Sequence, residues 1–345
     1  MSATLKEIAN FAGVDISVVS RVLNDKAGKF RISQQCQDKV RKVASDLGYI
    51  PNAYAIGIKK GTFNSVAVLH SSIESRSYLP ERLVFAIHRN LEQDDKHLLM
   101  AYIPEERVNA PEIPRILRSL MADGLIVNDY QYLPQKVKDA ISYLSIPTVW
   151  MNYKMEYNSV YPDSFAAAKK AAEHLIGLGH KRITYCNFFF ADRLPNAHYS
   201  VHERKQGYQA AMQKAGLEAW DISPDYKVDD SFEKQVEVLC SILKRPDRPT
   251  AMLFYWSTSV PPLLAAVSQL NLRIPEDLSV ITFAGESSER TGLYAASMLE
   301  PETLMGKEVV AMLREKIAEK TKAIPSKKLD FNFAQMHTCA KPPKK

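Results

Sequence analysis

Several features that many proteins carry are missing from this 345-residue sequence. No run of about 18 apolar residues occurs, which excludes a membrane-spanning helix. The N-terminal residues lack the apolar stretch of a secretory signal, so we expect a cytoplasmic protein. The four cysteines lie at least 54 positions apart, so we expect reduced thiols and no zinc-binding pair or disulfide framework (Cys36, Cys186, Cys240 and Cys339).

Sequence patterns that would indicate catalysis or cofactor binding are also missing. Only 13 glycines occur, and they form neither a Gly-x-Ser-x-Gly elbow nor a P-loop, which disfavours a nucleotide cradle. The eight histidines show no His-Glu-x-x-His spacing, and His198 and His202 form an isolated pair without a second pair of ligands. We therefore expect no metal site, no cofactor and no enzyme activity.

What the sequence does have is a short basic segment at its N-terminus. The first 61 residues hold ten Lys and Arg against five Asp and Glu, whereas the other 284 hold 35 against 34. Almost all of the formal net charge of +6 therefore belongs to this basic head. Such a distribution is typical of a nucleic-acid-binding module attached to another domain, and the alternative is that the charges only solvate a small helical domain.

The basic head contains start and stop signals for three short helices. Thr4 and Glu7 have the spacing of a capping box, which predicts the start of the first helix. Asp15 and Ser33 are suited to cap the second and third helices, and Gly48 to end the third. Two short helices joined by a tight turn and followed by a third helix is the helix-turn-helix plan, although a generic three-helix bundle has the same periodicity.

Four separated motifs distinguish these alternatives. They are Thr4-Leu5-Lys6-Glu7-Ile8-Ala9, Ala12-Gly13-Val14, Val19-Ser20-Arg21-Val22-Leu23-Asn24 and Gly48-Tyr49-Ile50-Pro51-Asn52. In this order and at nearly this spacing they closely resemble the head of the lactose-repressor/galactose-repressor family of bacterial transcription regulators. The loop from Asp25 to Ile32 is slightly longer than is usual in that family.

The resemblance implies that the second helix enters the major groove of DNA. Ile16, Ser17 and Arg21 would then face base edges, and a guanidinium can bond a guanine edge with two hydrogen bonds. The alternative for Ile16 is a position in the core of the head. Side chains suited to phosphate contacts, which set register without reading sequence, are Thr4, Ser20 and Asn24.

Residues 51–62 match the hinge segment of the same family. In such proteins a short helix forms there on operator DNA and wedges open a minor-groove step. By resemblance Asn52 and Ala55 would approach the groove and Ile58 would be the wedge. Gly57 departs from the family pattern and should make this helix harder to order, by about 0.8–1 kcal/mol relative to alanine. The alternative is a flexible linker.

After the hinge, apolar strands alternate with amphipathic helical stretches. Such alternation predicts parallel sheets with helices on both faces. Its length exceeds one domain, so we expect an α/β body of two doubly wound lobes with a ligand crevice at the strand ends. The expected divisions are a helix-turn-helix domain over residues 1–50, a hinge over 51–62, an effector-binding and dimerisation body over 63–340, and a tail over 341–345.

The body also resembles that family, whose members have a body like a periplasmic sugar-binding protein. The matching motifs are Asp123-Gly124-Leu125-Ile126-Val127, Glu173-His174-Leu175, Leu178-Gly179-His180-Lys181-Arg182-Ile183, Arg204-Lys205-Gln206-Gly207-Tyr208, Pro249-Thr250-Ala251 and Ile274-Pro275-Glu276-Asp277-Leu278-Ser279-Val280. The resemblance covers the chain from Thr4 to about Lys316. It implies three crossings between the lobes, near Asp163, Ser288 and Ile324.

The resemblance places the effector-binding residues in the crevice between the lobes. Arg204 stands where the family has its ligand-clamping arginine, and Asp163 matches a crevice acid. Trp256 stands where the family has an asparagine of an Asn-Asp pair, and its indole could stack on a sugar ring or an aromatic effector. Ordinary core packing is the alternative for Trp256, and a plain surface position is the alternative for Tyr78.

A second departure reduces the polarity of the same crevice. The family usually has Gly-Phe-Asp-Asp at the end of a later strand, where this chain has Thr282-Phe283-Ala284-Gly285.

Taken together, the head and the body predict a DNA-binding transcription regulator, a repressor that acts as a homodimer on palindromic operator DNA. A small-molecule effector, a carbohydrate or a derivative, would control it. The alternatives are a solute-binding protein without a regulatory role and an enzyme on an open α/β fold.

Overall fold

The structure is a computed structural model, and its described residues form two compact units, Met1–Phe63 and Asn64–Lys345. The described residues are 3–24, 27–50, 61–71, 79–103, 121–128, 135–144, 146–188, 197–222, 231–286 and 295–343.

The first unit is a small helical head with one apolar core. Its elements are α1 (Leu5–Ala12), α2 (Ile16–Leu23), a 3-10 helix (Ala27–Phe30) and α3 (Gln34–Asp46). The predicted caps of all three helices are present: the Thr4–Glu7 capping box, the Asp15 carboxylate on the Ser17 amide, and the Ser33 hydroxyl on the Cys36 amide. The core is formed by Ile8, Ala9, Ala12, Val19, Val22, Ala27, Val40 and Ala44.

The second unit alternates strands and helices. In chain order its described elements are β1 (Ser65–Ser71), α4 (Glu81–Glu92), β2 (His97–Ile103), β3 (Gly124–Asn128), α5 (Gln135–Tyr143), β4 (Thr148–Met151), β5 (Ser159–Pro162), α6 (Ser164–Gly177), β6 (Ile183–Cys186), α7 (Tyr199–Lys214), β7 (Trp220–Ile222), α8 (Phe232–Leu243), β8 (Ala251–Phe254), α9 (Val260–Gln269), β9 (Ser279–Gly285), β10 (Ala296–Glu300), α10 (Glu302–Ala318), β11 (Lys327–Leu329) and β12 (Asn332–Ala334).

These strands form two six-stranded sheets, each the centre of one lobe. The first lobe has the order β11-β5-β4-β3-β1-β2, with every pairing parallel. The second has the order β12-β10-β9-β8-β6-β7 and is parallel except for β12, which runs antiparallel to β10. Strands β3 and β9 are buried along their whole length, as expected where helices cover both faces of a sheet. The predicted fold class is therefore confirmed.

The chain crosses between the lobes three times, and two crossings differ from the sequence-based expectation. The crossing near Asp163 is confirmed, because β5 belongs to the first sheet and α6 packs in the second lobe. The second crossing lies at Pro301, not near Ser288, because β10 still pairs with β9. The third lies between β11 and β12, not near Ile324, because β11 still pairs with β5.

Close helix packing fixes α7 in the second lobe. A Cβ atom on Gly207 of α7 would lie 2.2 Å from the Phe165 carbonyl oxygen of α6 and 3.0 Å from the Lys169 amide. Only a glycine permits this approach of the two helices.

Among the described helices, none is both long and apolar enough to cross a membrane.

Candidate functional site

The outer face of α2 gathers four of the residues predicted to bind DNA. Ile16, Ser17, Ser20 and Arg21 follow one another at helical spacing and share a face, while Val19 and Val22 of the same helix are fully buried. Ile16 is 47% exposed, which excludes the alternative of a core position. The Asp15 carboxylate accepts the Ser17 amide at 2.7 Å. Hydrogen bonding to the Ser17 side chain and to this amide holds the pKa of Asp15 below its ordinary value.

The two other polar residues predicted in the head take part in helix ends. The Thr4 hydroxyl accepts the Glu7 amide at 3.2 Å and donates to the Glu7 carboxylate at 2.9 Å. The Asn24 side-chain amide donates to the Ser20 carbonyl at 2.6 Å and so closes the last turn of α2. Thr4 lies at a helix N-terminus, the end that attracts DNA phosphates, whereas Asn24 lies at a helix C-terminus.

An aromatic ring that the sequence analysis did not identify lies against Arg21. The guanidinium carbon of Arg21 is 4.0 Å from the centroid of the Phe30 ring, at the end of the 3-10 helix. Four predicted site residues lie outside the described residues: Asn52, Ala55, Ile58 and Tyr78.

In the body, polar side chains collect at the carboxyl ends of strands from both lobes. Asn152 follows β4 and Asp163 follows β5 in the first lobe, whereas Tyr255 and Trp256 follow β8 and Glu300 ends β10 in the second. In open parallel sheets this is the edge at which ligands bind. The interlobe cluster consists of Asn152, Asp163, His198, Tyr199, Arg204, Tyr255, Trp256 and Glu300.

Arg204 is the centre of the interlobe cluster. It lies in the second turn of α7 and is only 3% exposed. Its guanidinium donates to the Tyr255 carbonyl at 2.8 Å and to the Ser164 hydroxyl at 3.4 Å. Aromatic rings surround it, with centroids 4.1 to 5.6 Å from the guanidinium carbon (Tyr255, Trp256, Phe283 and Phe331). The predicted ligand-binding arginine is thus held in place by these contacts, and the Trp256 ring is one of the four rings around it.

A buried carboxylate faces this arginine. The Glu300 carboxylate lies 3.7 Å from the Arg204 guanidinium, and both side chains are about 95% buried. Burial raises the pKa of Glu300 from 4.5 to about 7, and nearby Glu302 acts in the same direction, while Arg204 opposes the rise. No sequence pattern indicated Glu300, because a single acid at a strand end matches no local motif.

A relay of hydrogen bonds joins the two lobes beside Arg204. The His198 imidazole bonds the Asn152 carbonyl through Nε2 at 2.9 Å and the Ser200 hydroxyl through Nδ1 at 2.8 Å. Burial lowers the pKa of His198 to about 4, so the ring is neutral near pH 7 and donates from Nε2. Nδ1 then accepts from Ser200, whose oxygen accepts from the Tyr255 hydroxyl at 3.0 Å.

The remaining two predicted effector residues have structural contacts of their own. Asp163 caps α6, accepting the Ala166 amide at 3.0 Å, and its other oxygen pairs with Lys328 at 2.6 Å. Trp256 is partly buried and packs against the apolar core of the second lobe. Core packing and a position beside the predicted effector site therefore hold together for this residue. Within the described part of the chain, no group of three or more His, Cys, Asp or Glu is placed to hold a metal ion.

Two families of known proteins match this chain. Residues 4–52 match the family described as "Bacterial regulatory proteins, lacI family", and residues 172–331 match the "Periplasmic binding protein-like domain". The first match contains the whole outer face of α2. The second contains Arg204, Tyr255, Trp256 and Glu300.

Individual relatives extend the likeness over nearly the whole chain. The HTH-type transcriptional repressor PurR of Vibrio vulnificus (strain CMCP6) is 25% identical over 325 residues, covering 92% of this chain and 93% of the relative. The PurR protein of Pasteurella multocida (strain Pm70) is 26% identical over 330 residues, with coverage of 92% and 93%.

Solved structures share the fold. The lac repressor dimer bound to operator and the anti-inducer ONPF has a TM-score of 0.78 at 20% identity, covering 99% of this chain and 100% of that one. The complex of the transcriptional regulator CelR with cellobiose has a TM-score of 0.63 at 20% identity, with coverage of 97% and 99%.

Proposed function

Because the chain belongs to the lacI family of bacterial regulatory proteins, we propose that it is a transcription repressor whose affinity for operator DNA is set by a small molecule bound between the lobes. The observation that carries this proposal is the outer face of α2. It presents one apolar, two hydroxyl and one guanidinium side chain from a basic head, and the PurR relatives, named as HTH-type repressors, match that head and the body together.

Within the head, base reading is assigned to Ile16, Ser17 and Arg21. Arg21 is suited to bond a guanine edge, and Ile16 offers an apolar surface to a thymine methyl group. Thr4, Ser20 and Asn24 are assigned to phosphate contacts. Residues 51–62 act as the hinge, with Asn52, Ala55 and Ile58 directed to the minor groove.

The effector site is the interlobe cluster. An arginine surrounded by aromatic rings favours a ligand with a flat apolar face and hydroxyl groups, and a carbohydrate or a derivative has both. Arg204, Asp163, Trp256 and Tyr78 are the assigned effector residues. CelR, a structure with this fold, is described as bound to cellobiose, which agrees with this ligand class.

The protein acts as a homodimer, because two heads related by a two-fold axis read the two halves of a palindromic operator. The lac repressor structure with this fold is described as a dimer bound to operator. Since its target is chromosomal DNA, the protein is placed in the cytoplasm. It binds its ligand without chemical change, so no reaction is assigned to it.

The DNA-binding assignment is tested by selecting duplexes from a randomised pool with the full-length protein. The selected duplex should then be titrated against all single-base substitutions with the parent protein, Arg21→Ala and Arg21→Lys. Arg21→Ala should lose discrimination at one base pair of each half-site by about 1–3 kcal/mol. Arg21→Lys keeps the charge but not the fork, so it should keep affinity for random DNA and lose the discrimination. Equal losses on all sequences would mean that Arg21 contacts only phosphate.

The effector assignment is tested separately, by thermal shifts of the full chain with a panel of sugars, sugar acids and nucleobases. A ligand that binds only the folded state raises the unfolding temperature in a concentration-dependent way. Trp256→Ala should reduce that shift while leaving selection of DNA unchanged. A shift that is the same in parent and variant would remove Trp256 from the site.

A further inference from the structure

The contact between Arg21 and Phe30 joins two parts of the head that no helix connects. Arg21 lies on the outer face of α2, whereas Phe30 lies in the 3-10 helix that follows it. The ring is 49% exposed, so it is not part of the apolar core of the head. What it covers is the guanidinium, 4.0 Å from the ring centroid.

The backbone around Phe30 is held in place on both sides. Ala27, which begins the 3-10 helix, is buried in the core of the head, and its carbonyl accepts the Ile32 amide at 3.4 Å. The Gln37 side chain in α3 donates to the Ile32 carbonyl at 2.9 Å. Between these anchors Arg31 has a φ of +53°, a left-handed conformation that non-glycine residues adopt only when their surroundings require it. The backbone position from which the ring projects is therefore set by the fold of the head.

An aromatic ring under the guanidinium restricts the rotational freedom of the Arg21 side chain. An arginine side chain loses much rotational freedom when its planar fork meets a base edge. A guanidinium that is already stacked on an aromatic face keeps its edge, with its N–H donors, directed away from the ring and available to a ligand. Preorganisation of this kind strengthens a base contact that depends on the planar, two-donor geometry of the guanidinium. It does not strengthen the general electrostatic attraction to phosphate.

We propose that Phe30 is a positioning residue for base recognition, which holds the Arg21 guanidinium for two-hydrogen-bond contact with a guanine. This inference rests on the proposed DNA-binding function of α2. It assigns part of the sequence specificity to the loop between α2 and α3.

The inference is tested with Phe30→Leu, which keeps an apolar side chain but removes the π face, and Phe30→Tyr, which keeps the face. The full-length proteins are titrated against the selected duplex and its single-base substitutions. Phe30→Leu should lose about 2- to 5-fold of the discrimination, and only at the base pair that Arg21→Ala identifies, as expected for a cation–π contact at an exposed site. Phe30→Tyr should retain the discrimination of the parent.

Two controls separate positioning from other roles. Phe11→Leu changes another exposed phenylalanine of the head, on α1, and should alter nothing. The slope of log affinity against log salt should stay constant in Phe30→Leu, since no phosphate contact by a charged group is removed. In an Arg21→Ala background, Phe30→Leu should cause no further loss of discrimination, because the two residues act through one contact.

Three results would overturn the inference. Retention of full discrimination by Phe30→Leu would show that the ring does not position Arg21. A uniform loss on all duplexes, or an additive loss in the Arg21→Ala background, would show that Phe30 contacts DNA itself or only stabilises the head. If the full-length parent selects no duplex, the proposed DNA-binding function fails, and this inference fails with it.

Discussion

Arg204 and Glu300 form a buried ion pair, 3.7 Å apart, that joins α7 to the end of β10. Pro301 follows Glu300 directly and begins the second crossing between the lobes. Above pH 7, where Glu300 is ionised, the predicted ligand clamp is therefore neutralised by a residue of the protein, and it is fixed to a segment that leads into the other lobe. An effector that engages Arg204 would act on both lobes through this pair.

Removal of one member of the pair should be more harmful than removal of both. At pH 8, where Glu300 is ionised in the parent, Arg204→Ala removes the counter-ion of this buried group, and the loss should be about 3–5 kcal/mol of unfolding free energy. Adding Glu300→Gln should restore most of it, because no charge is then left in the site. Urea unfolding of the full-length variants measures both values. If the double variant is as unstable as Arg204→Ala alone, the pair does not determine the stability of this site.

The double variant is also the better probe of effector binding. Arg204→Ala by itself would impair DNA binding through unfolding as well as through the effector site. The Arg204→Ala/Glu300→Gln protein should fold, bind DNA and fail to respond to effector, because the lobes keep their packing but lack the guanidinium.

The raised pKa of Glu300 predicts how this site responds to pH. Its pKa is about 7 in the folded protein and 4.5 when exposed, so between these values the folded state holds a proton that the unfolded state releases. This contribution to stability is complete below pH 4.5 and is lost as the pH rises to 7, by up to about 3 kcal/mol. Glu300→Gln cannot ionise and should lack this loss.

The measurement is the difference in unfolding free energy between Glu300→Gln and the parent at pH 5, 6, 7 and 8. The difference should move in favour of the variant as the pH rises, and level off above pH 7. His198, whose lowered pKa of about 4 makes stability rise with pH up to about 6.5, is present in both proteins and cancels. A difference that stays constant with pH would mean that Glu300 is ionised throughout.

The sequence predicted the head and the strand-helix alternation because both depend on local signals. Each cap of the head is read from residues two or three positions apart. The alternation of apolar strands with amphipathic helices is likewise read from short windows of sequence. The two wrong crossings have a local cause as well. β10 contains no β-branched residue, and β11 is three residues long with two exposed lysines, so neither has the pattern of a strand.

Long-range contacts in the site were beyond the sequence. Arg204 and Glu300 are 96 positions apart, and no spacing rule connects them. The same holds for the Asn152 carbonyl and His198, which meet only because the lobes do. The Phe30 ring was missed for another reason, since an exposed aromatic residue in a loop has no defined direction until the fold of the loop is known.

The close packing of α6 and α7 gives a prediction with a built-in control. Gly207→Ala would place a methyl group 2.2 Å from the Phe165 carbonyl oxygen, so the helices must separate and stability should fall by at least about 1–3 kcal/mol. Gly177→Ala, at the end of α6, meets no atom within 4 Å and should be neutral or stabilising by up to about 1 kcal/mol. Thermal unfolding of both variants decides the matter. Similar melting temperatures would mean that α6 and α7 can move apart without cost.

The hinge, residues 51–62, is inferred from the sequence, and its residues 51–60 lie outside the described residues. If a helix forms there on DNA, Gly57→Ala should strengthen operator binding by up to about 1 kcal/mol per subunit, since alanine favours the helix. Ile58→Ala should weaken it, because a methyl group cannot wedge a base step and hold the bend.

The two hinge variants test one segment in opposite directions, which a plain tether would not reproduce. Titrations of the selected duplex at fixed salt give the affinities, and gel-shift bending assays on circularly permuted fragments give the bend angle. Gly57→Ala should leave the bend unchanged while it tightens binding, whereas Ile58→Ala should reduce both. Variants that bind and bend DNA as the parent does would show that residues 51–62 only connect the head to the body, and that specificity is determined by α2 and its neighbouring loop.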